Sequence, residues 1–101
     1  MNYCRITDRP EPIRARVVPD YLSVTVGDMV EFRCHVSGGS WASIRWSRDV
    51  GDMPINAEMY DDMLRFQASR EDHQGRYECH VISERGQTIA TATTTLVIEI
   101  G

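Results

Sequence analysis

The sequence predicts an all-β fold of two antiparallel sheets packed face to face, and two observations carry that prediction. Short runs in which apolar and polar residues alternate recur along the chain, separated by clusters of glycine, proline, serine and aspartate, and no segment has the apolar period of an amphipathic helix. Cys34 and Cys79 each fall on the apolar side of such a run, with Trp46 twelve residues after the first and Tyr77 two before the second. A chain of 101 residues has room for one core of this kind and no second one.

The elements follow in order. Pro10, Pro12 and Pro19 punctuate the start, so Arg14 to Val18 is predicted as a short strand at a sheet edge that breaks and then continues. Leu22, Val24 and Val26 alternate with Ser23 and Thr25, a half-buried strand ending at Gly27-Asp28. Val30, Phe32, Cys34 and Val36 share the inner face of the next strand, opposite Glu31, Arg33 and His35. After the Ser37-Gly38-Gly39-Ser40 turn, Ile44 and Trp46 point inward and Arg45 and Ser47 outward. The seventeen residues between Trp46 and Leu64 hold Gly51, Pro54, Asp61 and Asp62, enough for a turn and one or two short strands. Leu64, Phe66 and Ala68 form another inner face, and Ser69 to Gly75 is a polar connection between sheets. Tyr77, Cys79 and Val81 continue the inward pattern to a hairpin turn at Ser83 to Gln87. The last strand is long, with Ala92, Thr94, Leu96 and Ile98 on one side and Thr91, Thr93, Thr95 and Val97 on the other.

Composition narrows the class of function. Hydrophobic residues make up 42% and charged residues 26%, as in an ordinary globular domain, and no apolar run approaches the roughly 20 residues of a membrane helix. No membrane insertion is expected. The net charge is −4, all eleven basic side chains are arginine, and acidic residues lie between most of them. No basic stripe results, so nucleic acid is not an expected partner. Residues 1–12 lack the apolar block of a secretory signal and read as a linker or the remnant of a preceding module; Arg5, Arg9, Arg14 and Arg16, against Asp8 and Glu11, make the entry from this segment into the domain net positive and read as solvated. Residues 13–101 read as the domain, one module of something longer.

From about Ile13 to Ile100 the chain resembles an immunoglobulin domain of the I-set kind. The resemblance is carried by Gly27-Asp28, Cys34, Trp46, Leu64, Gly75, Tyr77 and Cys79, together with the alternation of the last strand. The runs Ile44 to Asp49, Gly51 to Pro54 and Ala90 to Leu96 are similar to the repeated immunoglobulin modules of perlecan-type basement-membrane heparan sulfate proteoglycans. One departure is His73, which stands where the family usually has aspartate two residues before the corner glycine, and it puts in doubt the usual capping contacts of that loop. The resemblance implies an immunoglobulin-like sandwich (I-set) with one inter-sheet disulfide between Cys34 and Cys79. It also implies Trp46 packed on the bridge and Tyr77 as a tyrosine corner, with Leu64 and Phe66 completing the core signature. The closed loop of about 46 residues would contribute about 4 kcal/mol in the chain-entropy model. Cys4 is left without a partner inside the domain, and its expected fate is pairing with a neighbouring module or an intermolecular disulfide; without that the isolated module is expected to be monomeric.

No catalytic motif is present, and the chain is not expected to be an enzyme or to hold a cofactor. His35 and His80 each follow an inward cysteine, so they face outward from opposite sheets and cannot share a metal. His73 reads as a solvated loop histidine, and Glu58, Asp61 and Asp62 lack the ligand spacing of a calcium loop. Neither Asn2 nor Asn56 lies in a glycosylation sequon. Two surfaces remain as partner candidates. One is the outward face of the tryptophan-bearing sheet, where Arg45, Ser47, Glu78, His80, Ile82, Thr93, Thr95 and Val97 are expected to cluster. The other is the loop end formed by Glu84 to Gln87 and Gly38 to Trp41, with Trp41 either exposed for contact or folded back on the sandwich edge.

The function expected from the resemblance is a structural and protein-interaction module, one repeat of a tandem array in a secreted basement-membrane protein. Its partners would be extracellular matrix or cell-surface proteins and neighbouring immunoglobulin modules of the same chain. The alternatives are the ligand-recognising domain of a cell-surface adhesion molecule or receptor, and an intracellular muscle domain that would hold both cysteines reduced.

Overall fold

A computed structural model describes residues 12–99; the expectations placed on Cys4 and the segment before Pro12 lie outside the described residues. The strands are β1 (Arg14–Val18), β2 (Tyr21–Thr25), β3 (Met29–Ser37), β4 (Ser43–Arg48), β5 (Glu58–Tyr60), β6 (Met63–Gln67), β7 (Gly75–Ile82) and β8 (Thr88–Glu99). They form two four-stranded sheets, in the orders β1-β3-β6-β5 and β2-β8-β7-β4. The interval after Trp46 holds the single short strand β5, within the range the sequence allowed.

The broken first strand is observed as expected: β1 pairs with β3 in one sheet and β2 with β8 in the other. Pro19 stands at the crossing, where its missing N–H removes nothing from either ladder. The crossing accounts for one departure from an antiparallel fold, because β2 runs parallel to β8. The chain moves between sheets without turning back, so β2 keeps the direction of β1. Two bonds from β8 hold the crossing: the Thr94 hydroxyl donates to the Pro19 carbonyl (2.7 Å) and the Thr95 N–H to that of Asp20 (3.2 Å). Thr94 is thus a buried hydroxyl with its partner in place.

The inner faces meet as the alternation requires. Val30, Phe32 and Cys34 of β3, Leu64 and Phe66 of β6, Trp46 of β4, Tyr77 and Cys79 of β7 and Leu96 and Ile98 of β8 are all buried in one cluster. Val26 departs from the expected half-buried series: it lies beyond the end of β2 and is exposed. Through the centre runs the Cys34–Cys79 disulfide, with the two Cα atoms 6.3 Å apart and a sequence separation of 45. The turn after β3 is held close to the start of the described chain: Gly38 has φ +87°, and a Cβ there would lie 2.2 Å from the Pro12 carbonyl oxygen. A glycine is required on both counts.

Replacing both Cys34 and Cys79 by alanine is expected to lower stability by about 4 kcal/mol from loop entropy. Urea denaturation of the variant beside the oxidised parent measures the difference.

Candidate functional site

Apart from Thr94 at the crossing, the buried polar groups lie where β4, β7 and the connection before β7 meet. That connection, expected as a polar link between the sheets, contains a 3-10 turn at Glu71–His73. Tyr77 sends its hydroxyl back to donate to the His73 carbonyl, the tyrosine corner implied by the sequence. Burial pushes the phenol pKa up to about 12, so it stays protonated and able to donate. The contacts left in doubt by His73 are supplied from elsewhere. Arg48, two residues beyond Trp46, donates through Nη2 to the carbonyls of Asp72 (2.9 Å) and Gln74 (2.7 Å). Its guanidinium carbon lies 5.1 Å from the centre of the Tyr77 ring. Arg48 was not singled out from the sequence, although a signal existed: an arginine sharing the inward parity of Ile44 and Trp46 must find acceptors.

His73 corrects the expectation of a solvated histidine. It is buried, 7% exposed, with its ring edge-on to Phe66 at 5.8 Å between centroids. The 3-10 turn points the side chain into the core, which is why an otherwise polar stretch buries it. Its pKa is lowered below the usual histidine value, chiefly by burial, with Arg48 and Arg70 adding to the effect and Asp72 opposing it. A neutral imidazole packed on phenylalanine is part of the scaffold.

The outward face of the β2-β8-β7-β4 sheet is different in kind. The strand registers place Arg45, His80 and Thr91 in one row, Ser47, Glu78 and Thr93 in the next, and Arg76, Thr95 and Tyr21 in a third. Arg45 and Thr93 are exposed, and Thr95 and His80 half-buried. At the centre, His80 Nε2 is 2.7 Å from Ser47 Oγ and 3.4 Å from Glu78 Oε1, while Nδ1 is 3.3 Å from Thr91 Oγ1. The network holds the imidazole in a fixed orientation on the outward face of the sheet. Ser47 beside His80 resembles a nucleophile–base pair. The carboxylate, however, approaches the same ring nitrogen as the serine rather than the far one, so it does not orient the ring in the manner of a hydrolytic triad.

Ile82 does not belong to this face. It is 7% exposed, because the register shifts between Val81 and Ile82 and both consecutive side chains become buried. Tyr21, absent from the sequence-based group, is 58% exposed on the same face. Its outward parity was readable beside Leu22; its place next to Thr95 depends on the parallel β2–β8 pairing. Trp41 is not brought to the Arg45–His80–Thr93 cluster. It is half-buried at the side of the sandwich, where it shares a hollow with Val36, Ile44, Asp61 and Asp62. A larger cleft of about 670 Å³ lies between the loop after β4 and the connection before β7, with Arg48, Met53, Ile55 and Arg70 among its walls. Among the described residues no group of three or more histidine, cysteine, aspartate or glutamate side chains is placed to hold a metal ion.

With the geometry established, the comparisons with known proteins are consistent among themselves. The sequence matches the family model of the immunoglobulin domain over residues 10–82. It is 33% identical over 79 residues to the mouse basement membrane-specific heparan sulfate proteoglycan core protein, covering 77% of this chain and 2% of that protein. It is 37% identical over 86 residues to the cell adhesion molecule Dscam2 of Drosophila melanogaster, covering 80% of this chain and 4% of that one. The fold superposes on the ectodomain of mouse nectin-like molecule 4 with a TM-score of 0.77 at 27% identity, covering 90% of this chain and 31% of the other. The chain therefore spans a small part of the length of each of these proteins.

Two outcomes are expected at the corner. Arg48→Ala should cost about 2 to 3 kcal/mol, since it leaves two carbonyls without their charged donor, whereas Tyr77→Phe should cost about 1 kcal/mol; equal losses in urea denaturation would contradict this ordering. For His73, the folded-state pKa lies below the unfolded one, so the unfolded chain binds its proton first as pH falls. Stability contributed by the neutral ring is present above the ordinary histidine pKa and declines as pH drops through it toward the folded value. Denaturation midpoints at pH 7.5 and 5 should differ less in His73→Gln than in the parent.

Proposed function

The chain belongs to the immunoglobulin domain family, and on that premise we propose that it is a non-catalytic protein-interaction module of an extracellular protein. The reading is one repeat of a tandem immunoglobulin array in a secreted basement-membrane matrix protein. Its partners are matrix or cell-surface proteins together with the neighbouring modules of its own chain. The observation that carries the reading is the outer face of the β2-β8-β7-β4 sheet, where Arg45 and Thr93 flank an imidazole already fixed by Ser47, Glu78 and Thr91, and Tyr21 is exposed farther along the same face. A pre-ordered polar surface of this kind loses little side-chain freedom on binding. The inter-sheet disulfide supports an oxidising compartment. The likeness to a basement-membrane proteoglycan core protein supports the matrix setting.

A second reading, the ligand-recognising domain of a cell-surface adhesion molecule, is favoured by the likeness to a molecule named for cell adhesion. Both readings use the same surface and differ in where the partner resides.

Thr93→Arg places a long charged side chain in the middle of the face, and Trp41→Ala tests the separate hollow. Binding to immobilised basement-membrane extract and to intact cells should fall at least about tenfold for Thr93→Arg, the loss expected when an interface centre is disrupted. Undiminished binding by both folded variants would remove the proposed surfaces; a loss confined to cells would favour the adhesion reading.

A further inference from the structure

One flank of the sandwich carries two unpaired sheet edges. Among the described residues β4 pairs only with β7, and β5 only with β6. The Cys34–Cys79 bond sets β3 over β7, so β4 and β5, at the same end of their sheet orders, lie on the same side of the molecule. The β4 backbone faces this side in a defined way. Asp49 donates its N–H to the Arg76 carbonyl, and residues of β4 alternate in the direction of their ladder groups. Ser43, Arg45 and Ser47 therefore bond toward β7, and the N–H and C=O groups of Ile44, Trp46 and Arg48 point to the open edge.

The same flank exposes apolar side chains that the core does not use. Met59 and Tyr60 of the edge strand β5 are 52% and 55% exposed. An open strand edge beside exposed apolar residues is a template for pairing with another chain.

We propose that the β4 edge is a self-association surface whose occupant is β4 of a second copy, paired antiparallel about a two-fold axis. Charge selects the register. An axis through Arg45 would set the two copies of that arginine against each other, and an axis through Trp46 would leave it opposite serine. An axis through Ser47 sets each Arg45 across from Asp49 of the second copy, twice; Asp49 follows the last residue of β4, and its N–H still continues the ladder to the Arg76 carbonyl. The same register keeps the open-edge groups of Trp46 and Arg48 opposite each other. Arg45 and Asp49 are exposed and neither is in an ion pair among the described residues, so both charges are available. The two β2-β8-β7-β4 sheets become one sheet of eight strands, and the β5 edges with Met59 and Tyr60 are drawn toward the same axis.

The test is sedimentation equilibrium over a concentration series, on the full chain carrying Cys4→Ser so that no intermolecular disulfide contributes. Concentration-dependent dimerisation is expected for this parent. Arg45→Asp and Asp49→Arg each replace two attractions by two repulsions and should weaken it on the order of tenfold or more. Arg45→Asp combined with Asp49→Arg restores the pairing in reverse and should recover the parent constant. Circular dichroism and the thermal midpoint of each variant establish that it is folded. A parent that stays monomeric to millimolar concentration overturns the inference, as does a dimer that is indifferent to the single changes or is not rescued by the double one.

Discussion

The junction of β3 with β7, where Cys34 and Cys79 bring the two sheets together, is the constraint on which the remaining structure depends. A sheet with one apolar face has no stable existence alone in water, and each half of this sandwich is four short strands. The covalent link lies in the middle of the buried cluster, with Phe32 beside Cys34 on one strand and Tyr77 beside Cys79 on the other. A domain this small buries a limited fraction of its surface, so restricting the unfolded chain adds what packing alone supplies sparingly. The bridge also fixes which strands lie over one another, and hence which edges share a flank.

The ends of the sandwich are closed by polar contacts rather than by more apolar surface. At one place Thr94 and Thr95 hold the carbonyls of the crossing between β1 and β2. At another, Arg48 and Tyr77 hold the carbonyls before β7, and His73 is tucked neutral against Phe66. The titratable groups most changed by their surroundings are thus occupied in holding loops to strands. Perturbation of this sort marks a functional site only when the groups converge on an accessible centre, and these face inward. The surfaces proposed for partners are instead a sheet face with an ordered imidazole and, among the described residues, a flank with open strands, suited to recognition by shape and backbone pairing.

Much of the fold was legible because side-chain direction along a strand has a period of two. That rule correctly set Phe32, Cys34, Trp46, Leu64, Phe66, Tyr77 and Leu96 inside and Arg45 and Thr93 outside. It failed where the period is interrupted. Ile82 is buried because a register shift places two successive residues inward, and His73 is buried because a single helical turn replaces the extended backbone. Arg48 had the inward parity in plain view, yet its partners, the carbonyls of Asp72 and Gln74, are backbone groups that no side-chain pattern announces.

By itself the sequence determined that the fold is all-β, the strands and their inner faces, because these follow from local alternation, while the sandwich and the two cysteines at its centre followed from the resemblance that Cys34, Trp46, Tyr77 and Cys79 carry. Only the tertiary structure decided that β2 lies beside β8 and brings Tyr21 to Thr95, that Trp41 lies apart from the sheet face, and that among the described residues β4 and β5 leave their edges open on one side. Pairing joins residues far apart in sequence, and its outcome is set by how two sheets and their connections fit together.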